Sequence, residues 1–408
     1  MGLNANAALW IADAPAAWPD APEEMTVTTL REIESCSRRW SLGAGHYPDL
    51  WNGQGYPPRV QLGALSGTVV HLALEVITRA LVRAGCPSLH DPIVLQVLRD
   101  LGGYTKVVND CIDRALSRLA SNPRAQPVLE FAARSLRAQV PELRTRAQTM
   151  LCRVRLSRIP GRHAEGNAAK ARGRLTMGAF PEIELRAEEI GWKGKADLLV
   201  LSSDACEIID FKTGAPDEGH GFQMRVYALL WSRDGELNPD RRRADRLLLA
   251  YGGGEIEVAA PTESELDELG AVLRARRGAA HEAVSNHPPE ARPDPQNCHY
   301  CGVRQLCSEY WTAKTQRQMV QEGEDWRFSD VEVTITGRHG PSSWDARVEL
   351  SRDLSAGTPA VIRTSGDIEF RPRDRLRVLN AALTMDDEDQ AQPAVITLGK
   401  LSEAYAVP

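Results

Sequence analysis

The sequence predicts an α/β protein with a helical insertion and a small all-β domain at its C-terminal end. Three observations carry this. Leu62, Leu65, Val69, Leu72, Val76 and Leu81 recur at helical spacing. Near residue 180 the period changes: Ile183, Leu185 and Ala187 alternate with charged residues, and short apolar runs follow at 196–201 and 206–211. From residue 324 onward, short alternating runs at 331–335, 346–350, 360–363 and 376–379 are separated by turns, the pattern of a small barrel.

Taken in order, residues 1–24 read as a loose arm. A helix is expected over 26–42, opening after Thr26 or Thr28, and Gly45 to Pro58 is a loop. The next helix spans about 62–84. Residues 91–150 are helical with a break near Asn122-Pro123, and they form most of an insertion running from about 85 to 178. The runs at 183–187, 196–201 and 206–211, the last two split by Ser202-Ser203-Asp204, form an antiparallel meander. Helical character returns from Gly221 to Trp231. A hairpin joins 246–251 to 255–258 through Gly252-Gly253-Gly254, and an amphipathic helix covers 262–284. The expected units are thus an arm (1–24), a main domain (25–323) and a C-terminal barrel (324–408).

The 408 residues suffice for two or three packed domains. A hydrophobic share of 42% excludes a mainly disordered chain. No run approaches the ~20 apolar residues of a membrane span. Residues 1–24 lack the basic start and apolar core of a secretory leader, so a cytoplasmic location is expected, with no membrane partner. Formal net charge is −6, which argues against a generic basic nucleic-acid binder. The distribution differs from the total. Residues 131–174 hold eleven Arg or Lys against two acids, Glu142 and Glu165. Such a block is either a solvated helical face or a surface that tracks phosphates. On the second reading Arg144, Arg146, Arg153 and Arg155 contact nucleic acid. The run Arg371-Pro-Arg373-Asp-Arg375-Leu-Arg377 in the barrel is the competing surface, opposed by the acidic run at 386–389.

The informative segment is Gly194-Lys-Ala-Asp197 followed by Ile209-Asp210-Phe211-Lys212-Thr213-Gly214. Asp210 and Lys212 are two apart on a strand and share a face. The meander brings Asp197 across to them. Two converging carboxylates hold a hard divalent cation such as Mg²⁺, and a lysine beside them positions a water for attack on phosphorus. Gln223 and Tyr227, four apart on the following helix, share a face that reaches the same place. His71 and Glu75 are also four apart on the helix at 62–84. Singly, each has a bland reading: a satisfied core histidine, or a surface pair of Asp210 with Lys212. In this order they converge on one site.

Gly67-Thr-Val-Val-His71, Asp197, Asp210-Phe-Lys212-Thr-Gly and Gln223-Met-Arg-Val-Tyr227 resemble, in order, the motifs of the PD-(D/E)XK nucleases of the RecB and AddB type, including CRISPR-associated adaptation exonucleases. The resemblance covers about 26–310. Ala196 stands where the name-giving motif has proline. The resemblance implies a restriction-endonuclease-like core in which His71, Asp197 and Asp210 bind Mg²⁺ or Mn²⁺. Lys212 would serve the water, and Gln223 and Tyr227 would support the site or the DNA. Glu182 or Glu184 is a further carboxylate whose register the sequence leaves open.

Of the eight cysteines, Cys86, Cys111, Cys152 and Cys206 read as small apolar residues. Cys298-His-Tyr-Cys301 is a C-x2-C, with Cys307 beyond it and Cys36 far upstream. A C-x2-C suits an iron–sulfur cluster or zinc. One cysteine before the core and three after it resembles the iron–sulfur branch of the same family. There a [4Fe–4S] cluster staples the ends of the nuclease domain, although Ser37 replaces the proline common after the first cysteine. No phosphate-binding loop of the G-x-x-x-x-G-K-[ST] type is present. Unwinding of duplex ends would therefore come from a separate helicase or other subunit, docked through the C-terminal domain. The expectation is a metal-dependent deoxyribonuclease for single-stranded or end-bearing DNA, in repair, recombination or phage defence. The alternatives are a weakly catalytic DNA-binding or scaffold subunit of a helicase–nuclease complex, and a zinc-stapled RNA-processing nuclease.

Overall fold

The computed structural model describes residues 10–153, 172–322, 328–364, 368–385 and 392–408. The described part of the arm is tied down. Its short strand β1 (Trp10–Ile11) pairs in parallel with a strand at the opposite end of the chain, and Ala17 and Met25 bridge to His46 and Trp192.

The helix expected over 26–42 is two helices. α1 (Val27–Ser35) opens on Thr26, whose hydroxyl accepts the Thr29 N–H, a cap typically worth ~1 kcal/mol. α2 (Ser37–Ala44) begins after Cys36, which is extended at φ −163° and ψ 103°. The break comes from a distant strand of chain. The Arg38 N–H bonds to the Glu290 carbonyl rather than continuing the helical ladder, and the Arg38 side chain donates to the Pro289 carbonyl at 2.6 Å.

α3 (Leu62–Arg83) is the central helix, and it carries most of its length inside the fold. It alone has the length and hydropathy of a membrane span among the described residues, yet 61% of that stretch is buried. Against it pack α4 (Ile93–Asp100), α5 (Gly103–Leu119), α6 (Leu129–Ala138) and α7 (Val140–Leu151). Val69, Ala73 and Ile77 of α3 meet Val108 and Ile112 of α5 and Ala147 of α7 in one apolar cluster. The expected break at Asn122 is present, with the Asn122 amide donating to the Pro58 carbonyl at 2.8 Å.

The core sheet contains β2 (Gly178–Ala187), β3 (Trp192–Leu201), β4 (Cys206–Lys212), β5 (Arg246–Tyr251) and β6 (Glu255–Val258), side by side in that order. Only β4 and β5 are parallel, joined by the crossover helix α8 (Glu218–Arg233). Period two divides the side chains between the faces. Leu198, Val200, Ile209 and Phe211 face the α3 cluster, while Leu199, Leu201 and Ile208 face α1, α8 and α9 (Glu263–Ser285). Both faces are covered, which is why these strands read as nearly continuous apolar runs. Thr262 and Glu265 form a capping box at the start of α9.

After α10 (Pro295–His299) and α11 (Ala313–Glu322) comes the C-terminal barrel. β7 (Ser329–Gly340), β8 (Ser343–Ser351), β9 (Pro359–Thr364), β10 (Arg375–Thr384) and β11 (Ala394–Leu398) close as β7-β8-β9-β11-β10, with β10 pairing back to β7. β12 (Glu403–Ala406) adds to β10 and takes β1 as its outer neighbour. Trp344 and Phe370, edge to face at 4.9 Å, fill the barrel with Val331, Val333 and Ile362. Two of the four arginines in the basic run at its entry are engaged within the fold. Arg375 and Arg377 both pair with the buried Glu332, and Arg377 also donates to the Gln305 carbonyl.

Candidate active site

The site forms where the strands of the meander splay. Leu198 pairs with Ile209, so the next pair along is Asp197 with Asp210. The partners Pro181–Leu198 and Ile183–Ala196 place Glu182 opposite Asp197. Three carboxylates therefore stand in a row across β2, β3 and β4. Asp197 Oδ2 accepts the Phe211 N–H at 2.6 Å, which fixes its carboxylate against β4. Two close approaches set the walls. Gly67 of α3 leaves space filled by the Thr213 hydroxyl, 2.8 Å from where a Cβ would stand. Gly194 of β3 is likewise covered by the Tyr227 ring at 2.8 Å. The first brings His71 down to the carboxylates, with Nδ1 3.6 Å from Asp197 Oδ2.

Asp210 is 3% exposed. Lys212 Nζ pairs with its Oδ2 at 2.7 Å. Burial, and then the charge of Asp197, push the Asp210 carboxyl up to about 7. His71 is pulled down by burial, but the nearby Asp197 carboxylate and the charge of Asp210 outweigh this and raise it. Lys212 Nζ donates to Gln223 Oε1 at 2.7 Å, and Gln223 Nε2 donates to the Tyr227 hydroxyl at 2.5 Å. Burial, followed by the charge of Asp210, raises the Tyr227 hydroxyl, keeping it neutral. Tyr227 thus orients Gln223, and Gln223 holds the ammonium beside Asp210.

These residues line a cavity of about 560 Å³ whose rim adds Arg31, Lys195 and His220. A second cavity of about 470 Å³ adjoins it and shares His71, Lys195 and Thr213. All six residues expected to form the site are therefore brought together. Glu182, not Glu184, is the carboxylate that joins them. Its backbone is left-handed at φ +58°, a costly state for a glutamate in a strand, and its side chain pairs with Lys195. Glu184 instead pairs with Arg172 and Arg186. Sequence reasoning missed Lys195, Arg31 and His220, and also Arg114 and Arg118 of α5, which line the second cavity. The only signal for Lys195 was its place two residues before Asp197.

Among the described residues, the arginine block does not line the site. Arg144 and Arg146 are exposed on α7, and with Arg153 they line neither cavity; Arg155 lies outside the described residues. Much of the block's charge is spent on acids. Arg137 pairs with Asp113, Arg146 with Glu142, Arg172 with Asp234 and Glu236, and Arg174 with Asp240. Of the block's seven described basic residues, five, counting Arg134 with Glu130, are in ion pairs.

At the other end of the domain, Cys36, Cys298, Cys301 and Cys307 line one small cavity, together with Arg38, Arg39, Arg292 and Arg304. The Arg292 N–H points at Cys36 Sγ at 3.5 Å. Burial raises the thiols of Cys298 and Cys301 and pushes that of Cys307 up to about 12. Among the described residues, no three His, Cys, Asp or Glu side chains close tightly enough to hold a single ion, here or at the carboxylates.

The sequence of residues 24–308 matches the family model of the PD-(D/E)XK nuclease superfamily, and the chain belongs to that superfamily. No curated protein gives a significant match. A solved structure described as "Crystal structure of SSO0001" shares 22% identity over 32% of this chain, with a TM-score of 0.22. The matched region spans 59% of that chain's length.

Proposed function

We propose that this chain is a Mg²⁺- or Mn²⁺-dependent deoxyribonuclease of the RecB type, acting on single-stranded or end-bearing DNA. The observation that carries the reading is the buried carboxylate of Asp210, pressed by the charge of Asp197 and still raised although Lys212 lies 2.7 Å away. Two carboxylates crowded together, one of them out of water, are a cost that a divalent cation relieves, so the residues fit such a metal. Asp210 and Asp197 would hold that ion, with His71 and Glu182 beside Asp197. The metal would polarise the phosphate and lower the pKa of a bound water. Lys212, locked by Gln223, places its positive charge where the attacking water and the scissile phosphate meet. The depth of Asp210 favours a strand that can be threaded inward, a single strand or a frayed end.

The four thiols support a [4Fe–4S] staple. They line one small cavity, and four arginines line it with them, which would compensate thiolate charge. Helicase partnership through the barrel, and roles in repair, recombination or phage defence, belong to the same reading.

The test is cleavage of labelled single-stranded DNA with Mg²⁺ or Mn²⁺, alongside Asp210→Ala and Lys212→Ala. Wild type is expected to degrade the strand and each variant to lose orders of magnitude in rate. Equal rates in all three proteins reject the site. A wild type that binds DNA without cutting it favours the scaffold alternative.

A further inference from the structure

We propose that the second cavity seats the phosphate next to the scissile one on the nucleic-acid strand, and that Arg114 and Arg118 hold it. This rests on the nuclease reading above. The two cavities share His71, Lys195 and Thr213, so they form one trough running from the carboxylates to α5. Arg114 and Arg118 are four apart on α5 and therefore lie on one face. Both are exposed, both line the trough, and neither makes an ion pair among the described residues.

The acids nearby are already committed. Glu75 accepts from Arg79 at 3.0 Å, and Glu182 is paired with Lys195. On α5 itself, Asp110 is taken by Lys106 and Asp113 by Arg137. The two guanidinium groups are thus the uncompensated charge at this end of the trough. The other end differs. There Arg31 is paired with Asp217 at 3.3 Å, and His220 is hydrogen-bonded to the Tyr251 hydroxyl at 2.7 Å. Guanidinium forks match phosphate oxygens in geometry and charge. A strand lying in the trough would place one phosphate over Asp197 and Asp210 and its neighbour against α5. The insertion would then guide the strand through α5, not through the arginine block of α7.

The experiment is binding of a short fluorescein-labelled oligothymidylate, followed by anisotropy against salt, with Ca²⁺ replacing Mg²⁺. Arg114→Ala with Arg118→Ala is expected to weaken binding at low salt at least tenfold. It should also reduce the slope of log K against log salt by about 1.4, two contacts at roughly 0.7 each for a single strand. Arg114→Lys with Arg118→Lys keeps the charges and should keep the slope, which separates charge loss from misfolding. An unchanged slope in the alanine pair overturns the subsite. So does a slope lost instead in Arg144→Ala with Arg146→Ala, which would return the strand to α7. A wild type that binds no strand and cleaves none removes the nuclease reading itself, whereas a wild type that binds with a slope indifferent to α5 removes only this inference.

Discussion

Arg124 and Glu403 lie 279 residues apart and form a buried two-pronged ion pair, Nε to Oε1 at 2.7 Å and Nη2 to Oε2 at 2.8 Å. Arg124 also donates to the carbonyls of Pro57 and Gly302, so one guanidinium ties the insertion, the N-terminal loop, the cysteine segment and β12 together. A second joint repeats the design. Arg304, between Cys301 and Cys307, bonds Asp330 of β7 at 2.5 Å and 3.1 Å, and the Tyr310 hydroxyl donates to the same carboxylate. The barrel is fastened to the nuclease domain by two buried charge pairs. Removing one member leaves the other uncompensated, a loss of ~3–5 kcal/mol. Arg124→Ala is expected to cost about that in urea unfolding. Arg124→Met with Glu403→Leu and Arg59→Met should cost less than the single change, because Arg59 also pairs with Glu403 and the triple variant strands no charge.

Acid should weaken the same joints. Burial pulls the Glu403 and Asp330 carboxyls up, but Arg124 and Arg304 outweigh it and hold both below the ordinary carboxylate range. Carboxylates depressed in the folded state contribute stability that is complete above their unfolded pKa, roughly 4, and is lost as pH falls through the folded value. Thermal unfolding of wild type and Glu403→Gln should therefore differ most from pH 5 to 8. The gap should narrow below about pH 4. A gap that widens on acidification contradicts the assignment.

The fit of α3 against β4 gives a packing test. A Cβ on Gly67 would stand 2.8 Å from the Thr213 hydroxyl oxygen but 3.8 Å from its Cβ, an ordinary contact. Gly67→Ala should displace α3, carrying His71 from Asp197, and lower cleavage. Thr213→Ala removes the clashing oxygen, so Gly67→Ala with Thr213→Ala should recover activity relative to Gly67→Ala alone. Steady-state rates of the three variants decide this. Additive losses would mean the two residues do not press on each other.

What could be read from the chain alone follows from how local each signal is. β2, β3 and β4 announce themselves through period two and a turn tripeptide, and Asp210 and Lys212 share a face by strand geometry alone. α3 is legible because its apolar stripe is long. The break at Cys36 is not, because it is made by hydrogen bonds from Arg38 to residues 289 and 290. β1 has two residues and exists only through its pairing with β12. Glu182 was left unplaced because its left-handed backbone is set by tertiary packing, which periodicity does not encode. Counting charge along the chain cannot see Asp113, Asp234 or Asp240 arriving from elsewhere to pair with Arg137, Arg172 and Arg174.

The thiol site makes a prediction about composition. Protein purified without oxygen should be brown, with iron and sulfide near four per chain, if the [4Fe–4S] reading holds. Cys36→Ser should then bleach it and lower the unfolding temperature, because on that reading Cys36 would tie α1 and α2 to the chain beyond α9. Stoichiometric zinc without iron in such a preparation would reject the cluster and leave a structural zinc.

The last prediction sets stability against function at Asp210. Its carboxylate is buried beside the charge of Asp197, and it is pushed up even with Lys212 2.7 Å away. Without metal, that arrangement is a cost the fold carries for the sake of the site. Asp210→Asn removes the charge while keeping the shape. In EDTA the variant should unfold at a higher temperature than wild type. Its cleavage should fall by more than about 100-fold, since even groups behind metal ligands typically cost 10–100-fold. Added Mn²⁺ should raise the unfolding temperature of wild type, because a ligand that binds only the folded state stabilises it in proportion to its occupancy. The same Mn²⁺ should leave Asp210→Asn nearly unmoved. Equal shifts in the two proteins would place the metal elsewhere and leave the buried oxygen without a role.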